Sequence, residues 1–443
     1  MRCHSGIKWG LLLILLAPLL PFSSLSKESQ IDGRVASRSL YSTAAGPVSK
    51  DVLFQFIDLD FRGKNLGAFD TRLELDATLL WDVRENKERR FGETESFQQL
   101  RELYVEQPLR KGYTVAVGRR IITESGNAWV DGAELRYQAN KRLMLGAYGG
   151  LRPEPNTYAP TTLYQTAGAF SAYRRVGLQA EVGLNAIFRD GLDRQFIYAR
   201  THYRLTPGLY VNLYSVVDTL DEIEPVTLLS TIDYSPNRAV NLSLNYSRYS
   251  IEAYRNQAIY RNVTQLNQAL LLGDEIIDLV YNRVRFSASY KFWRRYYHYQ
   301  SVEYKRRSQD RREAWAYTIG LRNSNVFDTQ TRLDVRSVIR NNFQSDSWAV
   351  ALDAERDFFR SFTLNGHFTI FDGRTIDRFT ERGRTFDEAQ KVYLMGFSVF
   401  WRPSRSHHLA VTYDGVYETD LLDKRNDYAL FIHTGLFRYA YHF

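Results

Sequence analysis

GLFRYAYHF, the last residues of the chain from Gly435 to Phe443, places an aromatic side chain at every second position. A period of two residues is typical of a β-strand, because successive side chains of a strand point to opposite faces. The strand would end with one strongly aromatic face, and such a face needs an apolar partner. Lipid can be that partner, so the rest of the chain has to show whether the strand belongs to a membrane protein.

The same alternation recurs along the chain over unusually long runs. In AFDTRLELDATLLWDVR, from Ala68 to Arg84, apolar and polar residues alternate for far longer than the ~5–6 residues of an ordinary soluble strand. Shorter runs of this kind are VGLQAEVGLNAI, GLYVNLYSVVD and AVNLSLNYS. These lengths suit strands that cross a bilayer, which need about 9–11 residues.

The beginning of the chain predicts export. Residues 1–26 read as a signal peptide, with Arg2 and Lys8 ahead of the apolar run WGLLLILLAPLLPF and small residues after it. The single cysteine, Cys3, lies inside this segment, so the mature chain cannot form disulfides. With a mean hydropathy of −0.39, the chain does not resemble a helical membrane protein. We therefore predict one domain after the signal peptide, an outer-membrane β-barrel at 27–443.

Short turns with Gly or Pro alternate with long polar loops, which is the layout of bacterial outer-membrane barrels. Counting strands between the turns, with Ile31–Thr43 as the first and a C-terminal strand at about 428–443, gives about 22 strands, within a range of about 18 to 22. The predicted fold class is all-β: one transmembrane antiparallel β-barrel with short periplasmic turns and long extracellular loops. The longest loop, 251–277, has helix-like spacing and is either a constriction folded into the barrel or a surface helix.

Outer-membrane barrels commonly end on a phenylalanine that acts as an assembly signal for the barrel-folding machinery, and the end of this chain resembles that signal. We expect Phe443, Tyr441 and Tyr439 to serve this purpose and to face lipid at the periplasmic interface. The expected location is the cell outer membrane of a Gram-negative bacterium. The expected partners are outer-membrane lipid, lipopolysaccharide and the barrel-assembly machinery.

The charged residues on the polar faces of the strands are expected to line a water-filled lumen, since burying so many cations in a dry core would be prohibitive. Rings of Arg and Lys favour anions. The alternative is a solvated interior with internal salt bridges and no selectivity. The residues that we expect to line the pore are Arg72, Glu102, Arg120, Glu134, Arg136, Arg200, Arg204, Arg283, Arg285, Arg332, Arg336 and Arg340.

Signals for enzyme chemistry are weak. The chain has no G-x-S-x-G, H-E-x-x-H or P-loop pattern, and its 8 histidines are scattered. His407 and His408 are adjacent, so on a strand they point to opposite faces and cannot share a metal. We therefore expect no catalytic residues, no metal and no cofactor. The basic cluster EYKRRSQDRRE, Glu303–Glu313, either binds lipopolysaccharide phosphates or an acidic glycan, or is a solvated loop; nucleic acid is not expected in an exported chain.

One stretch, LRELYVEQPLRKGYTVAVGRRIITESGNAWVDGAELRYQ from Leu100 to Gln138, resembles the alginate-export family of outer-membrane porins. The residues that match the family pattern are Arg101, Glu102, Gly118, Arg119, Arg120, Trp129, Asp131 and Glu134. The resemblance implies a monomeric barrel whose electropositive lumen lets an anionic polysaccharide diffuse outwards. The chain departs from the family at Tyr104, where tryptophan is usual, at Arg120, where glutamine is common, and in its larger strand number.

Four hypotheses for function follow. The first is a passive conduit that exports an anionic polysaccharide, together with a periplasmic polysaccharide-export partner. The second is a general or anion-selective porin for small solutes. The third is a barrel enzyme that acts on lipid or surface peptide, and the fourth is a non-conducting adhesin or anchor.

Overall fold

A computed structural model gives the structure of the chain for residues 29–45, 50–66, 70–82, 96–153, 159–189, 191–220, 223–250, 280–308, 311–343, 345–359, 361–375, 389–419 and 430–443. The predicted signal peptide at 1–26 and the predicted constriction loop at 251–277 lie outside these described residues.

The described residues form 22 β-strands and two short 3-10 turns, Arg110–Gly112 and Thr123–Ser125. The strands are β1 Gln30–Ala45, β2 Lys50–Leu66, β3 Thr71–Asp82, β4 Ser96–Pro108, β5 Tyr113–Ile122, β6 Ala128–Gln138, β7 Leu143–Leu151, β8 Gln165–Arg175, β9 Leu178–Phe188, β10 Leu192–Thr206, β11 Leu209–Asp218, β12 Glu224–Tyr234, β13 Val240–Ser250, β14 Val280–Trp293, β15 Tyr296–Arg307, β16 Glu313–Val326, β17 Thr331–Asn341, β18 Ser345–Phe358, β19 Phe362–Thr375, β20 Ala389–Trp401, β21 His407–Thr419 and β22 Leu430–His442.

Each strand pairs antiparallel with the next one along the chain, and β22 pairs with β1. The sheet therefore closes on itself, and every strand has two neighbours. The predicted single antiparallel β-barrel of about 22 strands is confirmed.

Side chains alternate between two faces of the barrel wall. On β14, for example, Val284 and Phe286 are 39% and 45% exposed on the outer face, while Arg283 and Arg285 point the other way. The same parity recurs on β17, where Ile339 is 58% exposed and Arg340 faces inward. The outer face is thus apolar and uncovered, and the inner face is polar. No helix in the described part of the chain is long and apolar enough to cross a membrane.

Both ends of the barrel chain meet at the end where the short turns lie. Gln30, the first residue of β1, is paired with Lys64 just before the β2–β3 turn, and the C-terminal residue Phe443 lies beside Gly33. At the opposite end the connections vary in length: β13 and β14 are far apart in sequence, whereas β5 ends at Ile122 and β6 begins at Ala128.

Phe443 closes the seam between the first and last strands. Its backbone N–H and C=O are each 3.1 Å from the matching groups of Gly33. Its ring occupies the space in front of that glycine, so a Cβ atom at residue 33 would lie 2.2 Å from the ring. Phe443 and Tyr441 are exposed on the outer face, and the hydroxyl of Tyr439 lies 2.8 Å from Nδ1 of His407. Their use as an assembly signal stays a prediction.

We expect Gly33→Ala to weaken the seam, because the new methyl group displaces the ring of Phe443. The temperature at which the folded barrel loses its fast migration on a denaturing gel should fall. Gly435→Ala on β22 is the matched control, since a Cβ atom there meets nothing within 4 Å. Phe443→Ala should lower the temperature by itself but add little in the Gly33→Ala background. Equal effects of the two glycine substitutions would contradict the role of the ring.

Candidate functional site

The connection between β5 and β6 folds into the barrel. We call its residues, 123–127, the inward loop. Ser125 is fully buried, and its hydroxyl donates a hydrogen bond of 2.7 Å to Oδ1 of Asn185 on the inner face of β9. The hydroxyl of Tyr148 on β7 donates to the same oxygen. The inward loop is thus fixed against the inner wall and narrows the lumen.

Glycines on the wall make room for the inward loop. A Cβ atom at Gly183 would lie 2.5 Å from Oγ and 2.9 Å from Cα of Ser125, and one at Gly168 would lie 2.6 Å from the hydroxyl of Tyr148. Within the loop, Gly126 adopts φ +74° beneath the ring of Tyr198, a backbone conformation that favours glycine. The inward loop therefore fits against the inner wall because these positions lack side chains.

A small apolar cluster supports the loop from below. Ile122 and Val130, at the ends of the two strands that the loop joins, pack with Tyr148 and Phe170. The ring of Phe170 fits because Gly146 has no Cβ atom. This part of the inner wall is therefore a packed layer and not a hydrated surface.

Charged side chains on this packed wall neutralise one another. Successive guanidinium and carboxylate groups lie 2.6 to 3.8 Å apart from β3 to β9. This ion-pair chain follows the order Arg72, Glu106, Arg120, Glu134, Arg136, Glu124, Arg174 and Glu181. Glu124 belongs to the inward loop, so the ion-pair chain also anchors this loop. Four expected pore-lining residues, Arg72, Arg120, Glu134 and Arg136, are members of it.

The stretch that resembles alginate-export porins contributes the centre of this wall. The ring of Tyr104 lies 4.3 Å from the guanidinium carbon of Arg120, and its hydroxyl donates to Glu74 over 2.6 Å. Glu102, another expected lining residue, accepts a hydrogen bond of 3.1 Å from the backbone N–H of Ile121. Tyr104 thus places an aromatic ring over a cation and donates a hydrogen bond to an acid.

The inner faces of β14 to β18 are more open. Arg332 pairs with Glu355 and Asp357, and the side chains of Arg336 and Asp353 approach to 3.4 Å while both remain more than 40% exposed. Charges here are solvated as well as paired, so this wall faces the water of the lumen.

A basic recess opens in this wall. It has a volume of about 470 Å³, and its floor is formed by Ala314 and Ala316 of β16. The charged residues that line it are Arg283, Arg285, Lys305, Arg340 and Glu303.

Glu303 satisfies two of the four cations in the recess. Arg283 and Lys305 both approach its carboxylate, at 2.5 and 2.8 Å. Arg285 donates only to the hydroxyl of Ser301, over 3.3 Å. Across the described ranges of the chain, no carboxylate oxygen lies within 4 Å of Arg285 or Arg340. The recess therefore carries an excess of positive charge.

Two further arginines on the inner face of β10 also lack an acid. Arg204 donates to the carbonyl of Pro207 over 3.4 Å and covers the ring of Tyr210, and Arg200 lies two residues before His202 on the same face. Neither has a carboxylate within 4 Å among the residues that the structure describes. Arg200, Arg204, Arg285 and Arg340 are called the acid-free arginines below.

The histidines are dispersed between both faces. His202 contacts Asn212 in the lumen, His367 lies 3.2 Å from Asp414 in the lumen, and His433 contacts the hydroxyl of Tyr413 at 2.6 Å on the outer face. Within the described ranges, no group of three or more His, Cys, Asp or Glu side chains is arranged to hold a metal ion.

The inward loop and the basic recess were not identified from the sequence. From the sequence, the longest loop, 251–277, is either a constriction or a surface helix, and it lies outside the described residues. Among the described residues, the short segment TESGN at 123–127 lies inside the barrel. A usable signal is the set of inward-facing glycines at 146, 168 and 183, which alternate with outward apolar residues.

An uncovered apolar outer face, a hydrogen-bond ladder without edges and a charged, hydrated interior together define a transmembrane β-barrel. The chain is a barrel of this class and belongs in the outer membrane of a Gram-negative bacterium, as expected.

Comparison with known proteins finds similar architecture but no close relative. No protein-family model matches the chain, and no curated protein matches it. Solved structures that resemble it include Pseudomonas aeruginosa OpdQ, at 9% identity and a TM-score of 0.46, covering 95% of this chain and 99% of that one. Acinetobacter baumannii OccAB2 has 10% identity, a TM-score of 0.46 and the same coverage. These values are too low to carry an inference about function. The resemblance to alginate-export porins gains no support from them.

We expect Gly183→Ala to dislodge the inward loop, because its methyl group would overlap the backbone of Ser125. A wider lumen should raise the single-channel conductance of the purified barrel in a planar bilayer. Gly149→Ala on β7 is the control, since its Cβ atom comes no closer than 3.9 Å to any neighbour. An unchanged conductance in Gly183→Ala would show that the loop does not limit the lumen.

Proposed function

We propose that the chain is a porin, a passive diffusion channel for small solutes, with a preference for anions. The observation that carries this proposal is the presence of the acid-free arginines on the inner wall. Most other inward cations of the described residues are neutralised within ion pairs, so the acid-free arginines contribute uncompensated positive potential to the lumen. Cations in a water-filled channel raise the local concentration of anions, and exposed contacts are weak enough to release them.

Export of an anionic polysaccharide, with a periplasmic export partner, is less well supported. A threading polymer needs uncompensated cations along its whole path, and the acid-free arginines lie on β10, β14 and β17, away from the wall between β3 and β9. The ion-pair chain and the inward loop occupy the wall between β3 and β9. These features suit a short solute that exchanges between separate contacts.

We also propose contacts with lipopolysaccharide and the barrel-assembly machinery. The cluster Glu303–Glu313 is divided by strand parity: Glu303 and Lys305 face the lumen, whereas Arg306 is exposed on the outer face. Arg306 and the exposed Arg311 are the residues that we propose to meet lipopolysaccharide phosphates. Phe443, Tyr441 and Tyr439 remain the proposed assembly signal.

The purified barrel in a planar bilayer should show stepwise conductance, and its reversal potential in a potassium chloride gradient should indicate preference for chloride. The double variant Arg285→Gln/Arg340→Gln should lower the chloride-to-potassium permeability ratio by roughly two- to fivefold, because it removes positive potential from the recess. Arg356→Gln is the matched control, since Arg356 is exposed on the outer face of β18 and lies over the ring of Phe358.

Absence of conductance would refute the open channel and favour an adhesin or anchor. A preference for potassium in the unaltered protein would refute the anion preference. An equal shift in Arg356→Gln would assign the effect to overall charge and not to the recess.

A further inference from the structure

Backbone pairing joins inner-face residues of eight consecutive strands, β10 to β17, into one continuous row. We call it the polar row. Its members, each directly opposite the next, are His202, Asn212, Thr231, Asn245, Arg285, Glu303, Ala316 and Arg340.

The polar row runs along the inner wall, from near the end of the barrel with the short turns to near the opposite end. His202 lies near the end of β10 that leads into the short turn at Pro207, whereas Arg340 is at the far end of β17, one residue before the strand ends. Strands of a barrel are tilted, so a row perpendicular to them climbs around the wall. A solute that follows the row therefore passes through the membrane.

The two ends of the row are cationic. At the outer end, Arg285 and Arg340 lie in the basic recess. At the inner end, Arg200 and Arg204 flank His202 on the same face of β10.

Between His202 and Arg285 the row has uncharged hydrogen-bonding groups, whereas Glu303 and Ala316 separate Arg285 from Arg340. The hydroxyl of Thr231 donates to Oδ1 of Asn245 over 2.8 Å, and Nδ2 of Asn245 donates to Oγ of Ser243 over 3.0 Å. The amide of Asn212 contacts the ring of His202. Each bond uses one donor or acceptor, and the second amide hydrogen of Asn245 takes no part in these bonds.

Asn245 stands directly opposite Arg285, so an anion site and a hydroxyl site are one strand spacing apart, about 4.8 Å. That spacing matches the separation between a carboxylate and a hydroxyl group two or three carbons along the same molecule. A simple anion can use only the arginine, whereas a hydroxylated acid can use both.

We infer that the polar row binds polyhydroxylated monocarboxylates, the chemical class of the aldonic and uronic acids. The carboxylate binds Arg285 and Arg340, and the hydroxyl groups bind Asn245 and Thr231. Thr231 and Asn245 are thus the residues that distinguish these acids from equally charged ones. This inference rests on the proposed function, since it needs an open lumen with a preference for anions.

The test is the block of chloride current through single channels by D-gluconate and by hexanoate, which has the same six carbons and charge but no further hydroxyl groups. Gluconate should reach half-block at a concentration about tenfold below that of hexanoate, because only it satisfies the polar groups of the row. The variant Thr231→Val/Asn245→Leu should raise the gluconate value to that of hexanoate and leave the chloride-to-potassium ratio unchanged.

Thr412→Val is the matched control. Its hydroxyl lies 2.9 Å from that of Ser398 on the inner faces of β20 and β21, away from the polar row. It should leave the block by gluconate unchanged.

Equal block by the two acids in a channel that still prefers chloride would overturn the inference and leave the proposed function intact. Loss of gluconate block in Thr412→Val to the same degree would also overturn it. No conductance, or no preference for chloride, would refute the proposed function and the inference with it.

Discussion

A polypeptide inside a lipid bilayer must satisfy its backbone N–H and C=O groups from within the protein, because the hydrocarbon supplies neither donors nor acceptors. This constraint explains the closure of β22 on β1 and the pairing of the last residue, Phe443, with Gly33. Closure in turn fixes which face of every strand meets lipid. The alternation of side chains, the apolar exterior and the charged interior all follow from it.

A barrel closed from many strands encloses a wide lumen. The side chains that line this lumen cannot pack across it, so other contacts must order them. The inward loop packs against one wall, where Gly183 has no side chain. Glu124 of the loop also belongs to the ion-pair chain. Carboxylates and guanidinium groups this buried are stable only because they satisfy each other. The other wall stays open, and its ion pairs remain in contact with water.

The period of two residues suffices to predict the barrel and the inward direction of residues such as Arg283 and Arg336, and with the turns it gives a strand number of about 22 within a range of 18 to 22. It does not predict that Arg120 lies between Glu106 and Glu134, or that no carboxylate oxygen of the described residues lies within 4 Å of Arg285. These facts depend on the register between strands and on the length of each side chain. The alternation of apolar and polar residues along one strand determines neither. The inward loop was missed for a similar reason: Ser125 finds its partner Asn185 on a strand that is distant in sequence.

Composition alone is therefore a poor guide to selectivity. The chain has 58 basic and 50 acidic residues, and most inward arginines are cancelled by a neighbour. An ion pair presents a dipole, whose field falls off faster with distance than that of a single charge. The potential that a passing solute meets depends most on the cations without a carboxylate oxygen within 4 Å among the described residues. Arg285 is one of them: it lies opposite both Glu303 and the neutral Asn245, and it donates to the neutral Ser301. Because those neutral neighbours are themselves hydrogen-bonding groups, the position that attracts an anion also offers hydrogen bonds to the other polar groups of the solute.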